Sequence, residues 1–218
     1  MKVKIEKTVK ILTPKIFESL NEINICEESI EEECLLNNAL ITKAKLRNKN
    51  GYKITVQSSV IKDSIFFEGN FEKIELCDVK FENCDFSNAN FSRAVIHKTE
   101  FINCRLTGLN FTEGYYKNVS FENCKCDYLR MMFSNLKNVR FQNCILVNAD
   151  LRQVDILDVF FSNCDLRSAE LFKTKLKGID MSTCNIEGVK ANGEDIIGII
   201  VDRFQLEHIA GIFEIIVK

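Results

Sequence analysis

Large apolar residues recur at every fifth position over most of this chain. From Phe66 they run Phe71, Leu76, Phe81, Phe86, Phe91, Ile96, Phe101, Leu106, Phe111 and Tyr116, and the beat continues to Met181 and Ile186. Two residues before each sits a smaller side chain, as at Cys84, Ala89, Ala94, Thr99 and Cys104, and the other three positions are mostly polar. A helix repeats every ~3.6 residues and a strand every ~2, so neither explains this beat. A square coil does. Five residues make one side and one corner, and the small residue and the large one two places on point inward together, because side chains alternate along a strand.

A longer period contains the short one. Phe81-Glu-Asn83-Cys84-Asp-Phe86 returns twenty residues later as Phe101-Ile-Asn103-Cys104-Arg-Leu106, then from Phe121, Phe141 and Phe161, and fades at Met181-Ser-Thr183-Cys184. Four sides therefore close one coil, and coils stack about 4.8 Å apart. Each inward column becomes a ladder of like residues: Phe81, Phe101, Phe121, Phe141 and Phe161 in one, and Cys84, Cys104, Cys124, Cys144, Cys164 and Cys184 in another. The asparagines at 83, 103, 123, 143 and 163 stack at one corner, where amides can bond from coil to coil.

Segments such as Ala89-Asn90-Phe91-Ser92-Arg93, Ala149-Asp150-Leu151-Arg152-Gln153 and Ala169-Glu170-Leu171 resemble the pentapeptide-repeat family, whose motif is A(D/N)LXX. The resemblance implies an all-β, right-handed quadrilateral β-helix of about eight coils.

Taken in order, residues 1–33 read as an N-terminal cap. Val3, Ile5, Val9 and Ile11 alternate like a strand, Thr13-Pro14 signals a helix start with Lys15–Leu20 as a short helix, and Glu27 to Glu33 form an acidic, solvated edge. Residues 34–191 form the coil, with a turn or small protrusion expected at Arg47–Gly51. Residues 192–218 form a C-terminal cap. There Asp202-Arg-Phe-Gln205 reads as a capping box opening a helix through Ala210, Gly211 as its C-cap, and Ile212–Val217 as an apolar strand. A solenoid end needs such a cover. Phe204, Leu206, Ile209, Phe213, Ile215 and Ile216 offer more apolar surface than a cap requires. A similar tail pairs protomers in the quinolone-resistance branch of the family, so a homodimer through this segment is expected.

Composition narrows the function. Across 218 residues there are 29 basic and 31 acidic side chains, a net charge of −2, which argues against direct nucleic-acid binding. No apolar run spans a bilayer and Met1-Lys-Val-Lys-Ile carries no signal pattern, so a cytoplasmic protein with reduced thiols is expected despite ten cysteines. The inward cysteine ladder reads as core packing, because parallel side chains neither converge on a metal nor meet disulfide geometry. Cys77 and His97 fall on outward positions. No catalytic constellation, cofactor motif or metal-ligand set emerges, and the chain is expected to be no enzyme.

The outer surface remains. Met132, Phe133, Leu157, Phe160 and Phe172 are apolar at outward positions and mark a candidate partner surface. Some pentapeptide-repeat proteins mimic DNA and bind type II topoisomerases, so the resemblance implies a partner such as DNA gyrase or topoisomerase IV and an effect on quinolone action. A DNA mimic should carry a strong negative face. From Phe66 to Lys190 there are 17 acidic and 16 basic residues, and Lys80, Glu100, Arg140 and Asp180 share one column. The alternative is a rigid interaction scaffold unrelated to topoisomerases.

Overall fold

The computed structural model describes residues 10–24 and 33–216. The strands are β1 (Asn21–Glu22), β2 (Leu35–Asn37), β3 (Ala39–Thr42), β4 (Thr55–Lys62), β5 (Glu75–Glu82), β6 (Val95–Ile102), β7 (Tyr115–Glu122), β8 (Asn135–Gln142) and β9 (Asp155–Ser162). They form one parallel sheet in the order β1-β3-β4-β5-β6-β7-β8-β9, with β2 pairing β4 beside β3. From β2 onward each residue faces the one twenty places on, so Phe81 lies opposite Phe101 and Phe101 opposite Phe121. Two further sides are held by single bridges, through columns such as Asp85–Arg105–Lys125 and Asn90–Asn110–Arg130. The column from Lys45 to Asn185 has levels at 45, 65, 85, 105, 125, 145, 165 and 185, which makes about seven turns. At ~4.8 Å per level those turns span roughly 34 Å.

The corners explain why five residues suffice. Every fifth residue takes the left-handed conformation: Asn83, Asn103, Asn123, Asn143 and Asn163 have φ between 51° and 54°. Asparagine tolerates this region well. The other corners use the same conformation, some with asparagine or glycine, such as Asn118, Asn138 and Gly108, and others with less suitable residues, including Arg93 (φ 59°), Tyr128 (φ 56°) and Phe133 (φ 59°). Strands such as β6 therefore cover two sides in one run, bending at Lys98 (φ 45°).

The remaining two sides are tighter, and the side chain before each inward residue shapes them. Asp85 Oδ1 accepts the Ser87 N–H at 2.9 Å, Asn90 Oδ1 the Ser92 N–H at 3.1 Å and Asn110 Oδ1 the Thr112 N–H at 3.2 Å. Each is an Asx turn closing over the inward residue between them. This is the physical content of A(D/N)LXX: a small inward residue, a turn-forming amide or carboxylate, then a large inward residue. Asparagine adds a bond between coils, since Asn90 donates to Asn70 at 2.7 Å and Asn110 to Asn90 at 2.8 Å.

Inside, the two predicted ladders are buried along their length. The rings of Phe81, Phe101, Phe121, Phe141 and Phe161 stack with successive centroids 5.0, 5.0, 4.7 and 5.2 Å apart. Where the small inward slot holds a polar side chain, it also serves the backbone. The thiols of Cys124, Cys144 and Cys164 donate to the carbonyls of Phe101, Phe121 and Phe141 at 3.3–3.4 Å. Ser134 does the same with its hydroxyl, donating to the Phe111 carbonyl at 2.9 Å while accepting from the Gly114 N–H at 3.1 Å. Gly114 takes a small slot because the neighbouring ring is Tyr116, whose hydroxyl would lie 2.2 Å from any Cβ there.

The ends depart from the sequence expectations. Arg47–Gly51 is no protrusion: Asn50 bridges Asn70 and the Gly51 N–H reaches the Asn70 carbonyl at 2.8 Å, so the segment is the fourth side of the first coil. Most of the expected first strand and of the acidic stretch lies outside the described residues. Lys15–Leu20 is not a helix. It is part of an arm running along the outside of the coils, too short to repay helix nucleation and held instead by side chains of the solenoid. The Lys15 N–H donates to Asp78 Oδ1 at 2.8 Å, and the Leu12 N–H points to Asn118 Oδ1 at 3.4 Å.

At the other end the ladder runs past Ala191, with Asp180 bridging Ile200. The capping box is present: Asp202 Oδ1 accepts from the Phe204 N–H and Gln205 Oε1 from the Asp202 N–H. A short 3-10 turn, Arg203–Gln205, leads into α1 (Leu206–Ile212). Gly211 lies within α1 rather than after it, and the described part of 212–217 is not a strand. Glu214 at φ 57° ends the helix, with the Ile215 N–H folding back on the Ala210 carbonyl at 3.0 Å. Buried Gln205 seals the last coil by donating to the carbonyls of Met181 (2.9 Å) and Cys184 (2.6 Å).

Candidate interaction surface

The outward positions carry charges that pair along and across the columns. Arg93 bridges Glu72 (3.0 Å) and Glu113 (3.1 Å), and Arg152 bridges Asp150 (2.7 Å) and Glu170 (3.4 Å). Lys62 and Lys80 both reach Glu82 at 2.7 Å, and their ammonium groups hold its carboxyl below the usual range. The faces formed this way are mixed in sign. Such half-exposed pairs contribute little singly.

The five expected apolar residues are all outward, but they do not form one patch. Phe133 (52% exposed) sits on a corner beside half-buried Met132. Phe172 lies two levels from Met132 in the same column, with Arg152 between them, whose Nη2 donates to the Met132 sulfur at 3.2 Å. Leu157 (53% exposed) and half-buried Phe160 flank a different corner, Asp158. The structure adds two residues to the first group. Val95 and Tyr115 are paired neighbours in β6 and β7, both exposed, on the side that follows the Phe133 corner. The sequence reading did not single them out.

The C-terminal segment is more exposed than a cap needs to be. Phe204, Leu206, Phe213, Ile215 and Ile216 are 51–84% exposed, while Ile209 turns in and packs against the core. Phe213 also leans over Gly193, where a Cβ would stand 2.5 Å from the ring.

His97 is half-buried rather than free. It stands between Cys77 and Lys117 in the ladder, its Nε2 lies 3.3 Å from Asn118 Nδ2, and burial together with Lys98 and Lys117 lowers its pKa. The nine described cysteines are free thiols. The neighbouring Cys144 thiol and burial push Cys164 up to about 11, which keeps it protonated. Cys77 bonds Asp78 and is pushed up by burial. Among the described residues no three His, Cys, Asp or Glu side chains gather in a metal-binding group, and no helix is long and apolar enough to cross a membrane.

Sequence reading also missed Asp195. Its buried carboxylate accepts from the Lys173 N–H (2.9 Å), Lys175 Nζ (3.0 Å) and Asn192 Nδ2 (2.8 Å). Burial works against the charge, but these donors outweigh it and hold the carboxyl below its usual range. It supplies the acceptor for the Lys173 corner where the coil loses its regular partner.

A β-solenoid of five-residue sides, with left-handed corners and Asx turns, defines the class of this protein. A family model described as the pentapeptide repeat region matches residues 94–144 and 134–210, more than half of the chain, and the chain belongs to the pentapeptide-repeat family. A model of the SV2A/B/C luminal domain matches residues 24–111. Among solved structures, a trypsin-treated form of QnrB1, a plasmid-mediated fluoroquinolone resistance protein, is 18% identical, covering 86% of this chain and 99% of its own, with a TM-score of 0.38. HetL, involved in heterocyst differentiation regulation in the cyanobacterium Nostoc sp., is 14% identical, covering 78% and 90%, with a TM-score of 0.34. No curated protein matches.

Proposed function

We infer that this chain is a non-enzymatic scaffold that binds another protein through its outer faces. The observation that carries this reading is the division of labour in every coil. Inward positions hold the fold, while the outward ones present ion-paired faces with an apolar group, Met132, Phe133, Tyr115 and Val95, at one edge. A cytoplasmic setting is part of the proposal, supported by the free thiols. The test is photo-crosslinking from a benzoylphenylalanine placed at position 133 in cell extract. A discrete adduct, lost when Met132 is changed to serine, is expected; uniform labelling would refute this face as the partner site.

The second reading is a binder of DNA gyrase or topoisomerase IV that modulates quinolone action. The roughly 34 Å rod favours it, and the mixed-sign faces disfavour it. A supercoiling assay with and without a fluoroquinolone separates the two readings. Inhibition or drug rescue at micromolar protein selects the topoisomerase reading, and no effect selects the scaffold. The exposed C-terminal apolar residues are proposed to pair two protomers in either case.

A further inference from the structure

The first coils of the solenoid are underfilled. On the fourth side, Phe71, Phe91 and Phe111 occupy the inward slot at successive levels, but the level before Phe71 carries Gly51 there. In the Phe81 column the two preceding levels carry Ile61 and Ile41, so the stacked rings begin only at Phe81. A cavity of about 150 Å³ results. Phe66, Phe71 and Phe81 border it on the side of the later coils, and Ile41, Val56 and Ile61 form part of its wall. Its few polar neighbours, such as Asn24 of the N-terminal segment and Cys34 at the start of the coil, lie at its end.

Water is a poor occupant, because it needs two to four polar partners and this wall supplies hardly any. An apolar cavity of about this volume accepts a benzene-sized guest, and this one is partly open, which gives such a guest a way in. The shape favours a flat one. Phe66 already stacks on Phe86 with centroids 4.7 Å apart, and the Phe71 ring has no large side chain in the slot above it. We propose that the N-terminal coils bind a small apolar molecule, an aromatic ring or a short alkyl chain, on the solenoid axis. The site is independent of the outer faces and of any partner they hold.

Benzene is the probe, added to the full-length protein with its isoleucine methyls carbon-13 labelled. Shifts confined to the lining residues Ile23, Ile41, Ile54, Ile61 and Ile74, with a rise in melting temperature that grows with benzene concentration, are expected. No methyl shift at saturating benzene, or shifts centred on the exposed Ile197, Ile215 and Ile216, would overturn the proposal. Ile61→Phe extends the existing phenylalanine ladder by one level into the cavity and should abolish the methyl shifts. Val56→Leu is a milder filling, expected to weaken binding several-fold. A folded Ile61→Phe protein that still binds with unchanged affinity would overturn the placement.

Discussion

Phe121→Ala is the sharpest test of the ladder. The Phe121 ring is fully buried and stacked on both sides, with Phe101 at 5.0 Å and 8° and Phe141 at 4.7 Å and 4°. Truncating a buried phenylalanine costs about 3–5 kcal/mol in transfer and cavity terms. Each lost aromatic pair is worth about 0.5–1.5 kcal/mol, part of which that range already contains. The cavity closes poorly because the backbone around it is pinned by the coils on either side. We expect a loss near the top of the range, about 5 kcal/mol. Phe161 is the internal control. It is 8% exposed, stacks on Phe141 alone at 5.2 Å, and its next column neighbour is Met181. Phe161→Ala should therefore cost about 1 kcal/mol less, the worth of one ring pair. Urea unfolding followed by circular dichroism measures both. A solenoid is held by nearest-neighbour interfaces, so the Phe121 variant should also show a lower m-value as its two halves uncouple. A loss below about 1 kcal/mol for Phe121→Ala, or equal losses at both positions, would refute the stacked-column account.

The remaining predictions follow the corners and the ends. Asn143 has φ 52°, donates to Asn123 and accepts from Asn163, so Asn143→Val should cost about 2 kcal/mol and Asn143→Gly clearly less, read as the difference in urea midpoints. Asp195→Ala should destabilise by about 1–3 kcal/mol by stripping the Lys173 and Asn192 donors of their acceptor. Because the folded carboxyl is held low, Asp195 stabilises above the unfolded pKa of about 3.9 and loses that effect as pH falls through its folded value. The gap between wild type and Asp195→Asn should therefore narrow in acid, as melts at neutral and low pH would show. Phe204→Ser with Ile216→Ser, at side chains 76% and 84% exposed, should keep the fold, convert a dimer to a monomer in light scattering, and lower the melting temperature by the dimer's contribution, making it independent of protein concentration. A wild-type protein that is already monomeric would refute the pairing.

How much of this was legible follows from what each position must satisfy. The beat of Phe81, Cys84 and Phe86 was readable because an inward slot excludes water at every level, and few residue types fit. The corners were clearest in the Asn83 column, where every level from 83 to 163 carries a side chain that suits the left-handed backbone; elsewhere asparagines such as Asn118, Asn138 and Asn148 alternate with residues that do not. At Arg93, Tyr128 and Phe133 the ladder on either side imposes the same φ on residues that resist it, so nothing in their chemistry announces a corner. Arg47–Gly51 looked like a break for a related reason. Its glycine and polar residues suggest a turn, yet the bond from Gly51 to Asn70 holds them in the coil. At the C-terminus the apolar run after Gly211 suggested a strand, but no free ladder edge receives it, and the helix continues until Glu214 turns left-handed. Asp195 looked like one more surface acid because the irregular last coil that needs it is visible only in three dimensions. The outer face stayed illegible for a deeper reason. Three positions in five point away from the core and touch little but their neighbours above and below. The ladder asks of them only that they tolerate one another, so the fold constrains the interior tightly and leaves the exterior free to suit a partner. That freedom is why the proposed partner site rests on Phe133, Tyr115 and Val95: no ladder or cap requires these exposed positions to be apolar.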